Sequence, residues 1–221
     1  MKEIYLKDHM RRRLARYSKF NISGLFKTRK GKCGENWLFF ESYLEKDFFT
    51  KFEFDPKILM IESQPISISY SWQGKTCYYT ADVGLVNVSN HKVETLYVEI
   101  KHSSAMEDKV TERKFKKIRQ VFRKLGYQFE VFTEKNLLCE QSLHNLEIIN
   151  KSIGYIDKSS PLIDDALTAL PSQVTLKEAT EALDALKMDT SVLSYLLHKQ
   201  LYLFDLSKPM RANTILDRNI H

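Results

Sequence analysis

An α/β protein is predicted: a mixed sheet flanked by helices, followed by a small C-terminal helical, winged-helix-like domain. Three observations lead there. Short runs alternating apolar and polar residues fill roughly positions 58–101. A stretch of helical periodicity precedes them, and a long basic one follows. The resulting order, helix, three strands, helix, strand, calls for two layers packed around one sheet.

The bulk numbers agree. With 221 residues, 43% hydrophobic and 12% aromatic, the chain suits one large domain or two small ones and needs no disulfide to hold a core. No run approaches the ~18 apolar residues of a membrane span, and no signal-peptide core opens the chain. No membrane partner is expected. Cys33, Cys77 and Cys139 are far apart and show no CxxC spacing, which fits free thiols in a reducing cytoplasm better than a zinc site.

Residues 1–33 read as a basic arm, helical in part. Positions 1–32 hold eleven Lys and Arg against Glu3 and Asp8, so this segment carries +9 of a net +6 and leaves −3 for the rest. Such concentrated charge, interleaved with Tyr5, Tyr17, Phe20 and Phe26, suits a phosphate backbone. A solvated tail is the plain alternative.

A core domain is expected over 34–150. From Gly34 to Thr50 the spacing of Trp37, Phe40, Leu44 and Phe48 predicts a helix, with Glu41 and Glu45 on one face. A strand follows through "ILMIESQPISISYSW", interrupted at Gln64-Pro65, and Gln73-Gly74 marks a turn. "TCYYTADVGLVNV" reads as a second strand and "VETLYVEIK" as a third, the three forming a meander. Ser104 and Glu107 make a capping-box pattern for a basic helix over 105–125, with Gly126 as its stop. "YQFEVFT" closes the domain as a strand apolar enough for burial between layers.

Around 158–172 the composition turns to Ser, Pro and Asp, a linker with a short helix, and a second domain is expected over 160–221. Thr175 and Glu178 cap "LKEATEALDAL", "TSVLSYLLHKQ" is a further helix, and "LYLFDL" a strand. Helix, helix, strand outlines a winged-helix unit. Its six Lys and Arg against eight acids favour docking a protein over reading DNA.

The chemistry is concentrated in "YVEIKHSS", Tyr97 to Ser104. Glu99 and Lys101 share one strand face, opposite Val98 and Ile100. With Asp82 in the preceding strand, this is the outline of the PD-(D/E)xK nuclease motif. Two carboxylates from neighbouring strands make an oxygen-rich site for Mg²⁺, a hard cation that Mn²⁺ can replace. Bound there, it would acidify a water and polarise a phosphoryl oxygen, while Lys101 orients the water or neutralises charge on the phosphate. Candidate catalytic residues are therefore Glu45, Asp82, Glu99 and Lys101, and candidate metal-contacting positions are Asp82, Glu99, Ile100 and Glu45. Glu41 is the alternative to Glu45 as the helix ligand, and Gln64 is a candidate partner for a metal water or phosphate. The plain alternative is a minor surface ion pair on a solvated strand. Phosphate contacts are expected from Arg11, Arg12, Arg13 and Arg16 in the arm and from Lys109, Arg113, Lys116 and Lys117 in the basic helix. The histidines lack metal-ligand spacing, and no Ser-His-Asp order, Walker loop or GxGxxG is present.

"SYLE", the "QP" before a strand, "YYTADVGLV", "VEIKHSSAMEDKVTERKF", "FEVFTEKN" and "LFDLSKPMRANTILD" together resemble the TnsA family, the endonuclease subunit of heteromeric cut-and-paste transposases. The resemblance runs from about Gly34 to Leu216 and leaves the arm outside. It implies a restriction-endonuclease-like core over 34–150 and a winged-helix-like partner-binding domain over 160–221. It also implies Mg²⁺-dependent nicking of double-stranded DNA at the 5′ ends of a transposon. A DDE-type transposase subunit and an AAA+ regulator ATPase would be the partners. Carried over by position, Glu45, Asp82 and Lys101 match the family's active-site residues. Glu99 stands where many members carry Gln, and the chain is short for the family. Two rivals keep the fold: a standalone restriction or junction-resolving nuclease, and a non-catalytic DNA-binding adaptor.

Overall fold

A computed structural model describes residues 5–7, 22–89, 92–153 and 161–219. The chain divides into two compact units, Met1–Leu137 and Leu138–His221.

The first unit runs β1 (Tyr5–Lys7), β2 (Gly24–Lys27), β3 (Trp37–Phe40), α1 (Tyr43–Phe54), β4 (Ile58–Ser63), β5 (Ser67–Trp72), β6 (Lys75–Thr80), β7 (Val83–Ser89), β8 (Lys92–Ile100), α2 (Ser103–Met106), α3 (Lys109–Lys124) and β9 (Gln128–Phe132). Its centre is a mixed four-stranded sheet, β4-β7-β8-β9, antiparallel except for the β8–β9 pair. That parallel pair needs a crossover, which α2 and α3 provide. Alternation along β8 divides the core. Leu96, Val98 and Ile100 pack with Leu44, Phe48, Phe49 and Phe52 of α1, and Tyr97 packs with Phe115, Ile118, Val121 and Phe122 of α3.

One long ribbon serves two sheets. β5 and β6 join through Gln73 and Gly74, both at positive φ (50° and 76°), the primed turn that suits the strands' twist. Below them the ribbon breaks. Pro65 offers no N–H, Gln64 takes a left-handed φ of 49°, and the three residues Gln64, Pro65 and Ile66 face only two, Ala81 and Asp82. Gln64 N–H donates to the Asp82 carbonyl (2.9 Å) and Ala81 N–H to that of Ile66 (3.2 Å), so the corner keeps its backbone bonds. Pro65 also packs on Gly84, where a Cβ would lie 2.9 Å from its ring. The single second strand expected from sequence is therefore β6 and β7, and the meander is split between two sheets, one of order β1-β5-β6 and one of order β4-β7-β8-β9.

Three other expectations change. The helix expected from Gly34 begins only at Tyr43, because Trp37–Phe40 alternates exposed and buried and pairs with β2. Ser42 starts the helix, its Oγ accepting from Glu45 N–H (3.1 Å), and Asp55 before Pro56 ends it. Glu41 thus lies outside the helix. Part of the basic arm belongs to the fold: Gly24–Lys27 is a strand with Phe26 in the core. The long basic helix is in two pieces, because Asp108 caps a new start through Val110 and Thr111 N–H (3.3 and 2.9 Å), in place of the Ser104–Glu107 box. Gly126, at φ 80°, follows its C-terminus as expected. β9 is an outer strand of its sheet and lies between layers as expected, Phe129 and Val131 packing with the α3 cluster and Phe132 with the α1 cluster.

The second unit contains α4 (Glu140–Ser152), α5 (Leu162–Ala169), β10 (Gln173–Thr175), α6 (Leu176–Ala185), α7 (Ser191–His198), β11 (Tyr202–Leu203) and β12 (Ile215–Arg218). The strands pair antiparallel in the order β10-β12-β11. The Thr175–Glu178 capping box is present, each side chain accepting from the other's N–H. Among the described residues no helix is long and apolar enough to cross a membrane.

Candidate active site

The corner at Ala81–Asp82 brings the motif together. Asp82 N–H donates to the Val98 carbonyl (3.1 Å), and its Oδ2 accepts from Ile100 N–H (2.8 Å). Asp82 thereby spans the two β8 positions on either side of Glu99. Ile100 lies beyond the β7 residues paired with β8, which begin at Val83 opposite Val98, and the Asp82 side chain takes the ladder partner's place at its N–H. Glu99 divides its carboxylate: Oε1 lies 3.1 Å from Lys101 Nζ, and Oε2 accepts from the Tyr79 hydroxyl at 2.5 Å. Asp82 is 5% exposed and Glu99 2%, whereas the Lys101 side chain is 40% exposed and reaches solvent. The pairing of Glu99 with Lys101 along one strand face is as the alternation required. Ile100 buries its side chain in the α1 core, so only its main chain faces the site.

Both carboxylates are buried, with little water to screen their charge. The half-exposed ammonium of Lys101 is a weak counterweight to Glu99. The donors present, two carboxylates and the main chain of Ile100, are hard oxygens, a set that suits Mg²⁺ or Mn²⁺ rather than Zn²⁺. Asp82, Glu99 and Ile100 are the residues that could hold such an ion.

Glu45 is not gathered with them. Its carboxylate is turned onto its own helix start, accepting from Glu41 N–H (2.9 Å) and Ser42 Oγ–H (3.2 Å), a first-turn position that favours an anion. Among the described residues no three of the His, Cys, Asp and Glu side chains form a group that could hold a metal. The neighbouring β3 does reach the β4 end next to Gln64, where Phe39 N–H donates to Ser63 Oγ (3.2 Å).

The turn after Lys101 is tied down. Lys101 N–H donates to the Phe132 carbonyl (3.0 Å), and Ser103 donates to Glu134 through both its N–H (2.8 Å) and its hydroxyl. Those bonds, the hydroxyl's foremost, pull the Glu134 carboxyl down to about 2. His102 Nδ1 lies 3.7 Å from the same carboxylate. On α3, Lys109, Arg113 and Lys116 are exposed and Lys117 is half-buried. Arg11, Arg12, Arg13 and Arg16 lie outside the described residues.

Tyr79 was missed as a site residue. The alternation of Cys77, Tyr79 and Ala81 marks it as inward-facing, but no sequence pattern names its partner twenty positions away. Residues 55–134 match the family described as TnsA-like endonuclease N terminal. No curated protein matches the chain.

Proposed function

We propose that the chain is a TnsA-like nuclease of transposition, working on DNA beside a transposase, and that it hydrolyses phosphodiester bonds at the 5′ ends of a transposon with a divalent cation; the match of residues 55–134 to the TnsA-like endonuclease N-terminal family supports this. The observation that carries this reading is the Asp82–Ile100–Glu99–Lys101 arrangement, two buried carboxylates astride one strand with an ammonium at the solvent side.

When bound, Mg²⁺ would supply an acidified water and charge to polarise the phosphoryl oxygen. Asp82 and Glu99 would hold that ion, with the main chain of Ile100. Lys101, whose side chain reaches solvent, orients the water or meets the charge that grows on the phosphate. Glu45 is the further acid, and taking part requires its carboxylate to leave the helix cap. The exposed cations of α3 grip phosphates on the flanking duplex, giving register without reading bases. In the second unit, the strand order β10-β12-β11, with α6 and α7 between β10 and β11, supports a winged-helix-like reading, and its acidic balance supports docking to a protein partner, the DDE-type transposase or the AAA+ regulator.

The test is nicking of end-bearing DNA with Mg²⁺ and the transposase subunit present. Asp82→Ala, Glu99→Ala and Lys101→Ala should each lower the rate by roughly 10³-fold, about 4 kcal/mol of transition-state stabilisation, with folding and partner binding kept. Full nicking by Asp82→Ala would end the proposal. Equal cutting without the transposase would favour a standalone nuclease. A wild-type protein that no divalent cation stabilises would favour an adaptor. Neutralising Lys109, Arg113 or Lys116 should weaken DNA binding alike across sequences and lower the salt slope by about one per residue. A loss confined to one sequence would contradict phosphate contact.

A further inference from the structure

Tyr79 is 6% exposed, and its ring stands edge-on to three others: Phe115 at 6.4 Å and Phe122 at 6.2 Å on α3, and Phe129 at 5.8 Å on β9. Its hydroxyl emerges from this aromatic cage onto Glu99 Oε2 at 2.5 Å, short for an O–H···O bond and in the range of one to an ionised acceptor. The other oxygen, Oε1, is left towards Lys101. Glu99 is thereby held at both ends. One oxygen is fixed by a donor that cannot move without repacking four rings, and the other is presented beside the amine.

We propose that Tyr79 is the positioning residue of the site, locking the Glu99 carboxylate so that Oε1 keeps its place for the cation. The proposal rests on the nuclease reading above and adds to it a residue that touches neither the ion nor the DNA. A carboxylate entering an apolar cluster must find a donor there, and a ligand held by such an outer partner binds its ion better than one left to rotate. The cage adds a second property. Because Phe115 and Phe122 belong to the same helix as the basic residues, the donor that orients Glu99 is seated on the element expected to meet DNA.

Tyr79→Phe removes the donor and leaves the ring. The measurement is Mn²⁺ binding to the whole chain without DNA, by calorimetry or by the paramagnetic signal of free Mn²⁺, alongside nicking with the transposase at graded Mg²⁺. Tyr79→Phe should bind Mn²⁺ 10–100-fold more weakly. Its nicking should recover to within about threefold of wild type at saturating Mg²⁺, whereas Glu99→Ala should not recover at any concentration. Phe129→Leu loosens the cage and spares the hydroxyl, and it should weaken Mn²⁺ several-fold in the same way. Unchanged Mn²⁺ affinity in Tyr79→Phe, with wild-type binding that Asp82→Asn abolishes, overturns the role of Tyr79 and leaves the nuclease reading standing. Wild-type protein whose Mn²⁺ binding is absent or indifferent to Asp82→Asn overturns both.

Discussion

Two buried glutamates in the first unit make an instructive pair. Glu53, near the end of α1, is 1% exposed and saturated: Oε2 accepts from the Thr28 hydroxyl (2.7 Å), Oε1 from Arg29 N–H (3.0 Å), with the Arg29 guanidinium 3.9 Å away. Burial holds that guanidinium's pKa below its usual value, and Glu53 acts against the shift. Lys30 completes the corner by donating to the helix-end carbonyls of Phe52 (3.1 Å) and Asp55 (2.6 Å). Glu99 is equally buried but has one neutral donor, the Tyr79 hydroxyl, among the bonds described for it, and its cation is half in solvent. A buried anion surrounded by neutral donors and its own counter-ion serves the fold. A buried anion whose counter-ion is half in solvent costs stability, and that cost makes sense where an ion is to be held.

The difference can be broken by substitution. The largest effect is expected from Glu53→Ala, which leaves the Thr28 and Arg29 donors buried without their acceptor. It should lose about 3 kcal/mol in urea unfolding, and a loss below about 1 kcal/mol would erase the contrast. Glu99→Gln should leave the unfolding midpoint of the metal-free protein unchanged or raise it, since it removes a buried charge whose counter-ion is half in solvent while abolishing nicking. A stability loss as large as that of Glu53→Ala would make Glu99 a structural residue.

Ser42→Ala comes next, at about 1 kcal/mol of lost cap by thermal unfolding. The same substitution removes one of the bonds that keep Glu45 on its helix, so nicking at low Mg²⁺ should not fall in proportion to stability. A parallel fall would tie Glu45 to the cap alone.

The smallest effect concerns the turn after Lys101. The Glu134 carboxyl is depressed from 4.5 to about 2 by Ser103, so its contribution is complete above 4.5 and disappears as pH falls through about 2. The gap in unfolding midpoint between wild type and Ser103→Ala should be widest at neutral pH and close across that window. A gap that widens in acid would reverse the sign and refute the linkage.

Sequence and structure agree where chemistry is local. The primed turn at Gln73-Gly74, the stop at Gly126 and the Thr175–Glu178 box are written in neighbouring residues, and all three are found. The strand face of Glu99 and Lys101 follows from a period of two. Agreement fails where two periods fit the same letters. Trp37, Phe40, Leu44 and Phe48 satisfy a helical spacing, yet the first two lie in a strand because β2, itself read as arm, pairs with it.

The sequence by itself therefore determined an α/β core, a Glu99–Lys101 pair on one strand face and a basic helix behind it. These are short-range matters of side-chain period, turn chemistry and charge. Only tertiary structure decided that the second strand breaks before Asp82, that Asp82 serves the Ile100 N–H, that Glu45 folds back on Ser42, and that Tyr79 takes hold of Glu99. Each of those depends on which backbone groups lack partners once distant strands have paired, and that need arises only after the chain has folded.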